Sequence, residues 1–378
     1  MPAPANVLPV LEALSIANDR TCRWRAGPGA LECLREDLPA DGARRVVVAD
    51  RNAWKCWGPQ VLAALQQRRA PLPVIGVGPG ERSKHPAVWL RLVRALAEAA
   101  GGRDAVVVAV GGGVTTDLAG FAAATAMRGM RLVLVPTTLV GQVDASLGGK
   151  TSIDLPEGKN LVGTFHWPVL TVADPRFLET LPRREVRNGM AEVLKAAMAG
   201  DAGLLEGIDR DARGLSRGVP PDPGMVRRAA AVKWGIVGRD PFERGERRVL
   251  NLGHTAGHAI EAASGYRVRH GEAVAAGMVV ACRVAARLAG FPGAEVDALR
   301  ARLRALGLPD VPQVPFESAR PFLARDKKVQ EGRVRFALPR RPGQMERAGG
   351  EWVVPVDEAP GKPRSEEHTS ELQSPNTI

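Results

Sequence analysis

The chain has 378 residues, more than one hydrophobic core usually holds, so two domains are expected. With 45% hydrophobic and 25% charged residues its composition is that of an ordinary globular protein, and no apolar run reaches the ~18–20 residues that span a bilayer. The formal charge is +11, but its 52 Lys and Arg are dispersed and only 4% of residues are aromatic, which disfavours nucleic acid as a partner and leaves an anionic small molecule. The start, MPAPANVLPVLEALS, lacks the basic region and long apolar core of a signal peptide. Cys22, Cys33, Cys56 and Cys282 are scattered and form no CxxC pair. Both observations fit a reducing cytoplasm and disfavour a thiolate zinc site.

In chain order, RRVVVAD at 44–50 reads as a buried strand ending in Asp50. A helix near 58–69 follows, then a second strand running into the Gly/Pro turn of PLPVIGVGPGE. Residues 87–100 carry helical periodicity. The run 105–110 is a third strand leading into Gly111, Gly112 and Gly113; 118–127 is a small-residue helix and 132–135 a fourth strand. This alternation predicts a parallel sheet covered by helices. From about Arg184 the texture changes to long Ala/Leu/Arg/Glu stretches at 185–199, 223–237, 250–263, 271–288 and 294–306, and strand-like runs are scarce until 333–337. A mainly helical second domain is expected, with GVPPDPG at 218–224 as a surface loop. The predicted boundaries are an α/β domain over 1–183 and a helical domain over 184–360. Residues 364–378 are set aside as a non-native tail, because RSEEHTSELQS reads as an in-frame translation of a common sequencing adapter.

A glycine triplet between a strand and a helix suits phosphate, since the backbone can approach the oxygens and the helix start points amides at them. Alone it is a weak signal, because three glycines also serve tight turns. Asp50 beside Asn52 suits a carboxylate that reads ribose hydroxyls, although Asp50 could equally cap a helix. Thr137 and Thr138 follow the next strand, and GGK ending at Lys150 and the pair Lys159-Asn160 come soon after. Jointly these features favour a dinucleotide site.

His254, His258 and His270 lie close together in LNLGHTAGHAIEAASGYRVRHGEA, and the spacing of the first two puts them on one helix face. HTAGH is not the metalloprotease HExxH, because Thr255 stands where that motif has its glutamate. A catalytic zinc usually takes three protein ligands and keeps an open position. Two histidines and a carboxylate would supply them. Glu192 in GMAEVLKAA is favoured, with Lys195 one turn on, but spacing does not choose it over Glu261 or Glu272.

The segments GGGVTTDLAGFAAATAMRG, VPTTLVGQVDASLGGKTSID, GKNLVGTFHWP, MAEVLKAA, LNLGHTAGHAIE and RHGEAVAAGM together resemble 3-dehydroquinate synthase, of the sugar-phosphate cyclase family, over roughly residues 50–328. The resemblance implies an α/β NAD-binding domain followed by a helical metal domain. It implies NAD near Asp50, Asn52, Glu81, Lys84, Gly112, Gly113, Val114, Asp117, Thr137, Thr138, Lys150, Lys159, Phe177, Leu178, Glu179 and Thr180. It implies zinc or cobalt on Glu192, His254 and His270. Around the substrate it puts Arg128, Asp144, Lys150, Asn160, Lys195, Lys233, Arg247, Asn251, His258 and Lys327, the last chosen over Lys328. Glu243 would join a proton relay with Asn251 and His258. The implied reaction belongs to the shikimate pathway: 3-deoxy-D-arabino-heptulosonate 7-phosphate is transiently oxidised by NAD, loses phosphate, is re-reduced and closes by an aldol step. A cytoplasmic homodimer is expected. Departures from the family pattern are Thr116, Leu252 and Ala126, and none removes a ligand or a charged contact. The rivals are another sugar-phosphate cyclase and a metal-dependent polyol dehydrogenase.

Overall fold

A computed structural model describes residues 9–16, 20–38, 43–65, 72–323 and 333–356; Lys327 and the 364–378 segment lie outside them. The chain divides into two compact units, Met1–Pro182 with Asp222–Trp234, and Arg183–Pro221 with Gly235–Ile378.

Among the described residues the first unit contains nine strands: β1 (Val10–Ile16), β2 (Arg20–Ala26), β3 (Arg45–Asp50), β4 (Val74–Val77), β5 (Val106–Gly111), β6 (Arg131–Pro136), β7 (Lys150–Leu155), β8 (Gly158–Phe165) and β9 (Leu170–Ala173). Seven form one sheet in the order β1-β2-β9-β6-β5-β3-β4. From β2 to β4 every pairing is parallel, and β1 closes the edge as an antiparallel hairpin partner of β2. The continuous valine runs of β3 and β5 follow from burial on both faces. Val46, Val48, Val107 and Ala109 belong to one core layer, while Val47, Ala49, Val106, Val108 and Val110 belong to the other. Helices α1 (Leu34–Asp37) and α2 (Arg51–Leu65) contribute Leu34, Val61 and Leu65 to the second layer; α3 (Pro86–Ala100) and α4 (Gly113–Thr125) contribute Leu92, Leu96 and Leu118 to the first. The α2 helix starts at Arg51 rather than near residue 58, because Asp50 Oδ1 accepts the amides of Asn52 and Ala53 at 2.8 and 3.0 Å. β7 and β8 form a separate antiparallel ribbon with an irregularity between Ile153 and Leu155.

The second unit is mainly helical: α5 (Arg183–Ala199), α6 (Leu204–Ser216), the end of α7 (Pro223–Arg239), α8 (His254–Ala263), α9 (His270–Leu288), α10 (Gly293–Leu306) and α11 (Phe316–Leu323). Short strands β10 (Val334–Phe336), β11 (Pro339–Arg341), β12 (Gln344–Met345) and β13 (Val354–Val356) complete it. Residues of α7 up to Trp234 belong to the first unit, where Trp234 packs 5.5 Å from Trp24 of β2.

Glycine sets how closely α8 meets α9. A Cβ at Gly277 would stand 2.0 Å from the Gly253 carbonyl oxygen and 2.8 Å from the Gly257 nitrogen. At Gly271 it would stand 2.2 Å from the Asn188 carbonyl oxygen on α5. Gly253 itself has φ +78°, which favours glycine. The start of α9 is tied to α5 by the Gly271 amide, which donates to Asn188 Oδ1 at 2.6 Å. These are backbone contacts, so a side chain cannot be fitted by a change of rotamer. Gly277→Ala should destabilise the protein by about 2 kcal/mol or more, read as a lowered denaturation midpoint. An unchanged midpoint would show that α8 and α9 can separate freely.

Candidate active site

Three helices of the second unit converge on one carboxylate. Glu192 of α5 is 1% exposed, although it sits in a chain where such a charge needs a partner. His270 Nε2, at the start of α9, lies 3.2 Å from Glu192 Oε1, and His254 Nε2, at the start of α8, lies 3.7 Å from it. Ligand atoms of these three residues lie within 4.8 Å of one another. Lys195, one turn along α5, pairs with Glu192 Oε2 at 2.5 Å and is also buried.

The outer contacts orient both rings. His254 Nδ1 faces the Leu252 carbonyl at 3.1 Å, and His270 Nδ1 faces Glu261 Oε2 at 3.4 Å. With Nδ1 engaged on each ring, both Nε2 atoms are left toward Glu192. Metal-binding imidazoles are commonly held in this way. Burial, followed by the nearby Lys195 charge, holds His254 well below the ordinary imidazole value, so it is neutral and offers a lone pair. At His270 burial also opposes a charge, but hydrogen bonds to Glu192 and Glu261 outweigh it and push the ring up to about 10. Two buried carboxylates thus demand positive charge at this point, which a divalent cation would supply. The donor set, two imidazoles and a carboxylate, fits zinc or cobalt.

The alternatives left open by spacing now separate. Glu261 belongs to a second grouping with His258 and His270, but it faces the Nδ1 side of His270. Glu272 Oε2 accepts the Arg269 amide in a capping box and so serves the start of α9. His258 is exposed, with its ring 5.4 Å from that of His254. Asn251 Nδ2 donates to Glu243 Oε1 at 2.8 Å, which brings together the two residues expected to share a relay. Arg247 is 1% exposed; its amide donates to Asp240 Oδ2 and its guanidinium to the Pro241 carbonyl. Burial works against the Asp240 carboxylate, yet the amides of Arg244, Gly245 and Arg247 lower it below its usual range.

In the first unit, the chain leaves β3 in one direction toward β4 and returns to β5 on its other side. The carboxyl ends of β3 and β5 therefore flank a topological switch point, where open α/β sheets bind ligands. Asp50 ends β3 and Gly111 ends β5. A Cβ on Gly111 would come within 3.0 Å of Asp50 Cβ, and one on Gly112 within 2.8 Å of Thr138 Cγ2. The glycines are thus needed for packing as well as for approach to a phosphate. Helix α4 starts with Gly112 at its N-cap and no side-chain cap, so its first amides suit an anion. Val114 is half-buried in its first turn. Thr116 is buried and its hydroxyl donates to the Gly113 carbonyl at 3.0 Å, which turns it back onto the helix.

Beside this turn lies a polar cluster. Lys84 Nζ is buried, bonds Asp117 Oδ2 at 2.8 Å and donates to Asn160 Oδ1. Burial raises Asp117 above the usual carboxylate range and Lys84 opposes it. Lys159 Nζ lies 3.9 Å from Glu81 Oε1. Lys233 Nζ donates to Asp144 Oδ1 at 3.0 Å. Arg128 and Lys150 are exposed, Arg128 with a left-handed φ of +63°. Phe177 and Leu178 are core residues, whereas Glu179 and Thr180 are exposed and Thr180 accepts Trp57 Nε1 at 2.9 Å. Asp154 and Ser152, which join the Lys84–Asn160 cluster, and Glu261 as the partner of His270 were not singled out by pattern.

The model of the 3-dehydroquinate synthase N-terminal region matches residues 74–188, and that of the 3-dehydroquinate synthase C-terminal region matches 189–329. The 3-dehydroquinate synthase of Rhodopseudomonas palustris (strain BisA53) is 40% identical over 370 residues, covering 94% of this chain and 97% of the relative. This chain belongs to the 3-dehydroquinate synthase family. Among solved structures it is similar to a 2-deoxy-scyllo-inosose synthase complexed with carbaglucose-6-phosphate, NAD+ and Co2+ (27% identity, TM-score 0.80, 92% of this chain and 96% of that one). It is also similar to the 2-epi-5-epi-valiolone synthase of Streptomyces hygroscopicus with NAD+ and Zn2+ bound (30% identity, TM-score 0.79, 92% and 95%). The fold is thus shared with synthases that carry other names.

Metal analysis distinguishes ligands from neighbours. Glu192→Gln and His254→Ala should each lose bound zinc on dialysis, while His258→Ala should keep it. Loss of metal from the His258 variant would assign that ring to the ion instead. Glu261→Gln should weaken metal affinity by about 10- to 100-fold, the usual effect of removing an outer partner; unchanged affinity would mean that Glu261 does not orient His270.

Proposed function

We propose that this chain converts 3-deoxy-D-arabino-heptulosonate 7-phosphate to 3-dehydroquinate and phosphate, as an NAD- and metal-dependent lyase. The observation that carries the reading is the 40% identity to a 3-dehydroquinate synthase along 94% of the chain. The 2-deoxy-scyllo-inosose synthase and the 2-epi-5-epi-valiolone synthase share 27% and 30%.

Glu192, His254 and His270 would hold a divalent cation that would supply Lewis-acid stabilisation of a ring oxygen, and NAD, when bound, would supply reversible hydride transfer. The glycine turn at 111–113 would receive the pyrophosphate, and Asp50 would meet a ribose hydroxyl. Glu81, Lys84, Asp117, Thr137, Thr138 and Lys159 would surround the same cofactor. Asp50 caps α2 through Oδ1, which holds its carboxylate at the strand end. The substrate carries a carboxylate and a phosphate, so cations must meet both ends. In our reading Arg128, Lys150 and Lys233 of the first unit, Lys195 and Arg247 of the second, and Lys327 from outside the described residues supply those cations. Asp144 orients Lys233 through the 3.0 Å contact.

Proton transfer falls to His258, which stands beside a ligand histidine without being needed as one. Asn251 and Glu243, linked at 2.8 Å, extend a relay from it. Elimination of phosphate and aldol closure need the ring held in place and shielded from water, a demand that buried Lys195 and Arg247 suit. Among the described residues no helix is long and apolar enough to cross a membrane. The free cysteines accord with a cytoplasmic protein, and the family resemblance supports a homodimer.

The test is phosphate release from the heptulosonate phosphate by protein supplied with NAD and zinc. Phosphate and dehydroquinate should form without net NADH, and a chelator should stop both. Net NADH would replace this reading with a polyol dehydrogenase. Equal turnover of sedoheptulose 7-phosphate would replace it with a different cyclase.

A further inference from the structure

Asn160 has an unusual setting for a residue expected at a substrate. Its φ is +55°, a left-handed conformation in an otherwise extended strand. Its amide donates to Asp154 Oδ1 at 2.9 Å, across the ribbon of β7 and β8. Asp154 sits where the β7–β8 register shifts, between Ile153 and Leu155. Irregularities of this kind commonly re-aim a side chain. The Asn160 side chain is fixed as well. Its Oδ1 accepts from Lys84 Nζ and from Ser152 Oγ, the latter at 2.7 Å. Lysine can only donate, so the oxygen must face Lys84 and the amide nitrogen must face the other way. Asp154 is itself anchored, because its own amide donates to the Lys84 carbonyl at 2.7 Å.

We propose that Asp154 and Ser152 are positioning residues for the reaction: Asp154 holds the left-handed backbone of Asn160, Ser152 with Lys84 fixes the turn of its amide, and together they present Asn160 Nδ2 as a donor to an oxygen of the substrate. This rests on the reading of the site given above. Neither residue touches the substrate in this account; each acts through Asn160. Burial raises the Asp154 carboxyl to about 6, with Lys84 opposing, so it remains ionised and a strong acceptor at neutral pH. Glu81, a carboxylate facing it, adds to the rise.

A double-mutant cycle separates positioning from support of the fold. Asp154→Ala should lower kcat/KM for the heptulosonate phosphate about tenfold. Asp154→Asn keeps a carbonyl acceptor and should stay within about twofold of the unmodified enzyme. Ser152→Ala should lose about threefold. In an Asn160→Ala background, Asp154→Ala and Ser152→Ala should have no further effect, since their route to the substrate is gone. Losses that multiply with that of Asn160→Ala, or no rescue by Asp154→Asn, would overturn the proposal while leaving the activity intact. Should Asp154→Ala fail to fold, the Ser152→Ala arm of the cycle decides alone. Absence of phosphate release from the unmodified protein would instead overturn the functional reading, and this inference with it.

Discussion

The metal cluster depends on how closely two helix backbones approach. His254 and His270 each stand at the first position of a helix, α8 and α9, and their rings meet only because those helices touch through Gly253, Gly257 and Gly277. Side chains in those places would add the thickness of a methyl group to the separation. Nε2 of His254 is already 3.7 Å from Glu192, so the ligand set has little room for such a shift. Asn188 adds the third direction by tying the start of α9 to α5, one helical turn before Glu192. Thus the glycines serve the metal chemistry without contributing an atom to it.

A different constraint organises the first unit. Parallel strands buried on both faces force the polar work to their ends, because a polar group inside β3 or β5 would be unsatisfied. The carboxyl ends carry Asp50 and the glycine triplet, and the next strand ends before Thr137 and Thr138. Asp50 shows that structural and functional readings need not exclude each other. One carboxylate oxygen caps α2, and that contact holds the group at the strand end. Thr116 is similar: its hydroxyl is absorbed by the Gly113 carbonyl, so its departure from the family pattern leaves the glycine turn intact.

The valine strands and the long amphipathic helices were legible because their periodicity reports burial directly. The ribbon of β7 and β8 was not, since β8 is largely exposed and its GKNLVGTF has no clean alternation of burial. Helix α6 is not evident in the sequence either, nor are the strands β1 and β2 at the edge of the sheet. Within the site, histidine spacing found His254 and His258 on one helix, but no local pattern could rank Glu192, Glu261 and Glu272. That ranking depends on which face of α9 points to which helix, a tertiary fact. Glu272 is occupied by the Arg269 amide and Glu261 by the far side of His270, leaving Glu192 opposite both Nε2 atoms. Asp154 escaped notice for the same reason: its partner Asn160 lies across a strand irregularity that spacing does not reveal.

The charges around the cluster also bear on its substrate. Glu192 and Glu261 are both buried carboxylates, and Lys195 is the buried cation paired with one of them. With neutral imidazoles, these three groups leave one negative charge uncompensated in a poorly solvated place, which is costly. A proton on His270 relieves it, and hydrogen bonds to Glu192 and Glu261 accordingly push that ring up to about 10 against its burial. A divalent cation relieves it with a charge to spare. With Lys195 included, the metal-loaded cluster would carry one net positive charge. Such a centre attracts anions, so the demand for a metal and the affinity for an anionic substrate arise from the same buried glutamates.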